Sequence, residues 1–180
     1  MDRWIQKQRI NRAMEHIPSA STVLDIGCFQ GELFYRMGSR LGTGYGIDPL
    51  LSGTVENPRF TLLKGRFPDN WNENVKLHCI TMLAVLEHIP AEKQPPAIKK
   101  IFNSLMPGGL VILTVPSNQA DRLLSPLKRL GIVRGMSFEE HYGFKSADTK
   151  SLFANAGFTL IKHSRFQFGL NNLFVFKRIE

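Results

Sequence analysis

Hydrophobic and polar positions along the chain follow two periods. Stretches in which apolar residues recur every three or four positions predict helices, and short continuous apolar runs bounded by glycine or proline predict buried strands. The predicted helices cover 2–17, 31–40, 92–105 and 146–156, and the predicted strands cover 22–26, 45–48, 60–63, 78–85, 110–115, 159–168 and 173–177. The alternation of strands with helices indicates a parallel α/β sheet, and the last two strands indicate an antiparallel hairpin.

The turn after the first predicted strand is the most informative segment. Gly27 and Gly31 allow a tight turn into the next helix, and Asp48 ends the second strand. In a doubly wound fold this layout binds a nucleoside at the carboxyl ends of the strands, with the acid on the ribose hydroxyls. A second interpretation makes Asp48 a turn-capping acid before Pro49. Asp25 disfavours a pyrophosphate beside the turn and favours a positively charged ligand without phosphate.

Four blocks in this order carry a family resemblance. LDIGCFQG at 24–31, YGID at 45–48, MLAVLEHIP at 82–90 and LMPGGLVILTVP at 105–116 resemble the class I S-adenosylmethionine-dependent methyltransferases. The resemblance implies S-adenosylmethionine as cofactor and S-adenosylhomocysteine as product. It also implies one Rossmann-like domain over 1–180, a doubly wound, mostly parallel sheet of seven strands with a C-terminal antiparallel hairpin strand and helices on both faces.

One position departs from the family's usual Asp-x-Gly-x-Gly-x-Gly turn. Phe29 stands where the middle glycine is expected. A side chain there restricts positive φ and the close approach of a ligand. It narrows the pocket, stacks on the ligand, or marks a protein that has lost the cofactor.

The resemblance also implies a set of cofactor-binding residues. Asp48 would bind the ribose, Asp25 would face the ammonium group, and residues after the third and fourth strands would approach the adenine and the other side of the cofactor. The full set is Asp25, Gly27, Cys28, Phe29, Gly31, Asp48, Pro49, Arg66, Phe67 and Leu83.

Three residues are candidates for acid–base catalysis. His88 follows the fourth strand, near the expected methyl group, and an unshifted histidine titrates near neutral pH. Glu87 precedes it, and His141 could reach the pocket from a later segment. The alternative interpretation is that Glu87 and His88 cap the following helix and that His141 is an exposed loop residue. Quinone-ring O-methyltransferases with a similar LEH sequence use Glu-x-x-Glu-His for a metal; Ala84 replaces the first glutamate here, so we predict no metal.

The segment 117–145 interrupts the alternation of strands and helices. Its leucines are interleaved with basic residues, most densely over 119–134. Such a segment can be an ordinary helix packed on the domain, a lid over the acceptor pocket as in the resembled family, or a helix that lies on a membrane surface.

Composition and charge limit the remaining choices. The formal net charge is +8, which favours an anionic acceptor and leaves nucleic acid open, although no RNA-binding signature is present. The two cysteines, Cys28 and Cys79, form no metal or disulfide framework. We expect a cytoplasmic enzyme without a transmembrane segment or signal peptide.

The expected reaction is methyl transfer to an oxygen, less favourably a nitrogen, of a small molecule such as a sugar or lipid-linked precursor. Alternatives are a methyltransferase-fold scaffold without catalysis, an RNA methyltransferase, and a nucleotide-dependent oxidoreductase, against which Asp25 argues.

Overall fold

The computed structural model describes residues 3–117 and 146–179. The predicted segment 117–145, with His141, lies outside the described residues except for its first position. The helices are α1 Arg3–Met14, α2 Glu32–Met37, α3 Gln94–Ser104 and α4 Thr149–Ala154. The strands are β1 Ser21–Ile26, β2 Leu41–Asp48, β3 Val55–Asn57, β4 Phe60–Lys64, β5 Leu77–Leu83, β6 Leu105–Pro116, β7 Phe158–Phe166 and β8 Asn171–Arg178.

The strands form one sheet in the order β3-β4-β2-β1-β5-β6-β8-β7. The five strands from β4 to β6 are parallel, whereas β3 and the β7–β8 hairpin run antiparallel to their neighbours. The chain moves outward from β1 in one direction through β2 and in the other through β5. Ligands of open α/β sheets bind at the carboxyl ends of strands at such a reversal, so the topology places the site beyond the ends of β1, β2 and β5.

The structure confirms the predicted fold class and corrects the strand count and several boundaries. An eighth strand, Val55–Asn57, pairs with β4, and its short, exposed sequence gave no periodic signal. The predicted turns at 42–44 and 106–109 lie inside β2 and β6. Register irregularities in the pairing of both strands with their neighbours accommodate the glycines that suggested turns.

Both faces of the sheet are covered, which explains the continuous apolar runs of the central strands. One face packs against α1 and α2, and the other packs against α3 and α4. The first core includes Ile10, Ala13, Ile17, Val23, Leu33, Phe34 and Met37. The second includes Leu24, Ile80, Ile98, Ile101, Leu113, Phe153 and Phe176. Within residues 3–117 and 146–179, no helix is long and apolar enough to cross a bilayer.

Aromatic packing attaches α4 and the C-terminal hairpin to the sheet. The Phe153 ring of α4 stacks on Phe176 of β8 with centroids 4.5 Å apart and an interplanar angle of 9°. It also meets the Phe158 ring at 5.5 Å in an edge-on arrangement. Because Phe153 is fully buried, this contact holds the last helix in place.

We predict that Phe153→Ala lowers the free energy of unfolding by about 3–5 kcal/mol, since it removes a buried ring and leaves a cavity. Ile161→Ala, on the exposed surface of β7, is the control and should change that free energy by no more than about 0.5 kcal/mol. Urea unfolding followed by circular dichroism measures both. Equal losses for the two variants would contradict the packing role of Phe153.

Candidate active site

The turn from β1 to α2 uses the left-handed region of backbone space at three positions. Gly27, Phe29 and Gly31 have φ of 77°, 48° and 79°. The Gly27 N–H donates to the Ile47 carbonyl at 2.9 Å and the Gly31 N–H to the Cys28 carbonyl at 2.9 Å. Phe29 therefore adopts the conformation that the family's glycine would provide, although a side chain makes it less favourable.

Gly27 is required by space as well as by conformation. A Cβ at this position would lie 2.4 Å from Cγ2 of Val85. The segment after β5 therefore lies directly over the glycine turn, and only a residue without a side chain allows this approach. Cys28 fills the space below the turn, because a Cβ on Gly46 would lie 2.6 Å from its Sγ.

The carboxylate of Asp48 joins the ends of the first two strands. Its Oδ2 accepts the Phe29 N–H at 2.8 Å, and its Oδ1 accepts the Leu50 N–H at 2.8 Å. The second bond is the turn cap that the sequence suggested as an alternative. A carboxylate has about four acceptor positions, so each oxygen keeps one for a further donor such as a ribose hydroxyl. The ribose role of Asp48 stays a prediction.

Asp25 is a second buried carboxyl near Asp48. The Thr81 hydroxyl donates to Asp25 Oδ1 at 2.6 Å. Burial raises the pKa of Asp25 to about 7; the Thr81 hydrogen bond opposes this shift, and the charge of Asp48 adds to it. A positive ligand would favour the ionised form. Thr81 was not predicted from the sequence, since a threonine within an apolar strand carries no motif.

A cavity of about 50 Å³ opens between α1 and the glycine turn. Five of the predicted cofactor-binding residues line this cavity, four from the glycine turn region and one from β5. The other lining residues belong to α1 and α2. The lining residues are Gln6, Arg9, Ile10, Asp25, Gly27, Cys28, Phe29, Glu32, Leu33 and Leu83. Small-molecule sites usually have roughly 300–1,000 Å³. This cavity therefore accounts for one end of a ligand, and the rest must lie beyond these residues.

Arg9 of α1 is a site residue that the sequence analysis missed. Its Nη2 and Nε donate to Asn171 Oδ1 at 3.2 and 3.4 Å. Asn171 donates in turn to Gln167, whose Nε2 donates to the Ile5 carbonyl at 3.4 Å. We call Arg9, Asn171 and Gln167 the helix–hairpin latch. No local pattern could reveal it, because Arg9 and Asn171 are 162 positions apart.

The structure separates the two described catalytic candidates. Both lie in a 3₁₀ turn, Leu86–His88, where Glu87 is buried and His88 is exposed. Burial raises the pKa of Glu87 to about 7, against the lowering effects of a backbone hydrogen bond and of the Arg9 charge. The N-cap residues of the short turn before α3 and of α3 itself are Pro90 and Lys93, and neither makes a side-chain cap. The capping interpretation of Glu87 and His88 stays a prediction.

Three other predicted cofactor residues lie away from the cavity. Pro49 is exposed in the turn after β2, and Arg66 is exposed after β4. The Arg66 N–H bonds to Asn70 Oδ1 at 2.8 Å. Phe67 packs against the core on the α3 side of the sheet. Their contact with an adenine stays a prediction.

Residues 3–117 and 146–179 contain no group of three histidine, cysteine or acidic side chains that could hold a metal ion. The expectation that the site binds no metal stays a prediction, since it also concerns His141.

Comparisons with known proteins agree with this geometry. A family model described as a methyltransferase domain matches residues 2–163. The chain belongs to this methyltransferase family, and its fold is that of the class I S-adenosylmethionine-dependent methyltransferases. No curated protein matches the chain.

Solved structures share the fold at low sequence identity. A chain in the complex of the Haloferax volcanii Trm112 methyltransferase activator with a methyltransferase gives a TM-score of 0.73 at 14% identity, covering 98% of this chain and 90% of that one. Magnesium protoporphyrin IX methyltransferase from Synechocystis PCC 6803, with bound S-adenosylhomocysteine, gives 0.69 at 18% identity, covering 98% and 84%. The N-methyltransferase NodS from Bradyrhizobium japonicum, also with S-adenosylhomocysteine, gives 0.67 at 15% identity, covering 99% and 90%.

We predict that Gly27→Ala lowers the free energy of unfolding by about 2–5 kcal/mol, since both the positive φ and the contact with Val85 oppose a side chain. Gly108→Ala is a matched control: Gly108 has a φ of 76°, and a Cβ there would meet only Cε of Lys177, at 3.5 Å. It should cost only about 1–2 kcal/mol. Urea unfolding compares them, and equal losses would show that Val85 yields to the added methyl group.

We also predict that stability falls as pH rises from about 4 to about 7. The folded protein keeps a proton on Asp25 and on Glu87, whose pKa values are raised to about 7, whereas unfolded carboxyls lose theirs near pH 4. The free energy of unfolding of the wild type should fall between pH 5 and pH 8. In Asp25→Asn this fall should be smaller by about 2 kcal/mol, because one of the two titrating groups is removed. The exposed Glu92→Gln should leave it unchanged, and an equal pH dependence in all three proteins would refute the assignment.

Proposed function

We propose that the chain transfers a methyl group from S-adenosylmethionine to an oxygen of a small-molecule acceptor, with nitrogen as the less favoured alternative. Sugar hydroxyls, free or in lipid-linked precursors, are the leading acceptor class. The observation that carries the cofactor side is Asp48, whose two oxygens each accept one backbone N–H and keep an acceptor position toward the end of the sheet. This arrangement suits the adjacent hydroxyls of a ribose.

The cavity next to Asp48 suits the amino-acid end of the same cofactor. Asp25 and Arg9 both line this cavity, and they would face the ammonium group and the carboxylate of the cofactor, respectively. A carboxyl and a guanidinium in one lining are complementary to a zwitterion. Gly27 and Phe29 of the glycine turn line the same cavity.

S-adenosylmethionine, when bound, supplies an electrophilic methyl group. The chain must orient the acceptor for in-line attack and remove its proton where the nucleophile is a hydroxyl. Glu87 and His88 are the described residues placed for proton removal, since both follow β5 at the edge of the sheet where the cavity lies.

The architecture favours a small acceptor. The described part of the chain is one sheet with helices on both faces, without a separate domain that would grip a macromolecule. The net charge of +8 favours an anionic group on the acceptor and is the one observation that supports an RNA acceptor instead. Cys28 and Cys79 are both free thiols, which agrees with a cytoplasmic location.

An acceptor screen separates the two substrate classes. The purified chain is incubated with radiolabelled S-adenosylmethionine and either nucleotide-linked and lipid-linked sugars or total transfer RNA. Label on the sugar fraction, released by glycosidase treatment, supports the proposal. Label on the transfer RNA, released by nuclease, would contradict it and identify an RNA methyltransferase.

We predict that the chain binds S-adenosylmethionine and S-adenosylhomocysteine in the micromolar range, and that Asp48→Ala weakens both at least about tenfold, because a charged hydrogen-bond acceptor contributes roughly 1.5–3 kcal/mol. Calorimetric titration measures the dissociation constants, with NADH as the comparison ligand. Asp69→Ala, an exposed aspartate in the loop after β4, is the matched control. Affinity of Asp48→Ala within twofold of the wild type would exclude the ribose assignment.

A further inference from the structure

Glu87 is a buried carboxyl with one oxygen that has no described hydrogen-bond partner. Its side chain is 2% exposed, and its Oε2 has no hydrogen-bond partner within residues 3–117 and 146–179. A buried polar atom without a partner costs free energy, whereas an apolar residue of similar size would not. The unused oxygen therefore points to a partner that arrives with a ligand.

The position of Glu87 is the border between the cofactor cavity and the end of β6. Leu83, at the end of the same strand, lines the cavity, and Val85 lies against the glycine turn. The 3₁₀ turn that carries Glu87 packs on β6, and the Ala84 N–H donates to the Thr114 carbonyl at 3.0 Å. Thr114 Oγ1 is also buried without a partner among the described residues. Two buried polar atoms without a described partner, Glu87 Oε2 and Thr114 Oγ1, thus lie on two elements that pack together.

Arg9 of α1 is the described cation that acts on Glu87. The cavity that Arg9 lines also has two acidic residues in its wall, Asp25 of β1 and Glu32 of α2. His88 is the neighbour of Glu87 in the chain, while Thr114 of β6 and Asn171 of β8 are neutral. Arg9 does not form an ion pair with Glu87, since the one pair within the described residues is Arg12–Glu15. Among the described residues, Arg9 therefore acts on this carboxyl without forming a salt bridge with it.

We propose that Glu87 takes the proton of the acceptor and that its proton occupancy follows the charge of the bound cofactor. This inference rests on the proposed function. The acceptor oxygen forms a bond to the methyl carbon, and its O–H bond breaks, with the electron pair kept by oxygen and the proton passing to Glu87 Oε2. The methyl–sulfur bond breaks with its electron pair on sulfur. Glu87 begins as a carboxylate and ends as a carboxylic acid.

The charge of the bound ligand would change the protonation of Glu87. S-adenosylmethionine and S-adenosylhomocysteine share the ammonium, the carboxylate, the ribose and the adenine, and they differ by the methyl group and the positive charge on sulfur. A nearby positive charge favours an ionised carboxyl. Burial already raises the pKa of Glu87 to about 7, so that a modest additional field changes its protonation at neutral pH. Glu87 thus releases its proton to solvent beside the substrate form and retains it beside the product form.

Calorimetric titration of the whole chain tests this inference without an acceptor. Binding of each ligand is measured at pH 7 in phosphate and in Tris, whose different ionisation enthalpies give the number of protons released. We expect S-adenosylmethionine to release about 0.3–0.5 more protons than S-adenosylhomocysteine. The ratio of their affinities should accordingly rise with pH, by at most about threefold per pH unit between pH 6 and pH 8.

Variants assign the proton to one residue. Glu87→Gln keeps the shape and removes the titration, so the difference in proton release should disappear while both ligands still bind. His88→Asn should keep the difference, as should Glu92→Gln on the exposed surface. Loss of the difference in His88→Asn but not in Glu87→Gln would overturn the proposal in favour of His88.

The comparison in the wild-type protein is decisive by itself, whether or not a variant folds. Equal proton release for the two ligands overturns the role of Glu87 and leaves the methyltransferase assignment intact. Failure of the wild-type chain to bind either ligand overturns the proposed function and this inference together.

Discussion

The site depends on one buried carboxylate at the end of β2. Asp48 accepts the N–H groups of Phe29 and Leu50 and so connects the loop after β1 with the turn after β2. A hydrogen bond to a charged group contributes roughly 1.5–3 kcal/mol, and a side chain in the left-handed region costs about 1–2 kcal/mol. The bond to Asp48 therefore offsets the strain at Phe29, and the turn keeps its shape without the family's middle glycine.

The same region brings three buried carboxyl groups together. Asp25, Asp48 and Glu87 are all buried at the carboxyl ends of three adjacent strands, and Arg9 is the cation in the cavity wall beside them. An excess of buried carboxyls is unfavourable in the empty protein because burial favours the neutral form. A ligand that carries positive charge would reduce this cost, which is a physical reason to expect that the site favours a sulfonium compound.

The sequence predicted the sheet, the order of its main elements and the glycine turn, because each depends on local chemistry. A continuous apolar run predicts a buried strand wherever it occurs. The requirement for glycine at position 27 depends only on the φ of that residue and on its neighbours. The short strand β3 escaped prediction because it is exposed. Arg9, Thr81 and Asn171 escaped it because their roles arise from contacts between distant segments. The sequence pattern favoured His88 over Glu87 as the base. Burial, which separates them, is set by the packing of the turn on β6.

The helix–hairpin latch has a consequence for how the protein is made. Arg9 lies in the cavity wall, but Asn171, which accepts its hydrogen bonds, is 162 positions further along the chain, and Gln167, which accepts from Asn171, is also synthesised long after α1. Contacts over such a separation form late because loop closure must precede them. During translation the central strands and the glycine turn can assemble first. The hydrogen bonds that hold α1 against the cofactor cavity cannot form until β8 has left the ribosome. The nascent chain is therefore expected to acquire its ligand only after the sheet is complete.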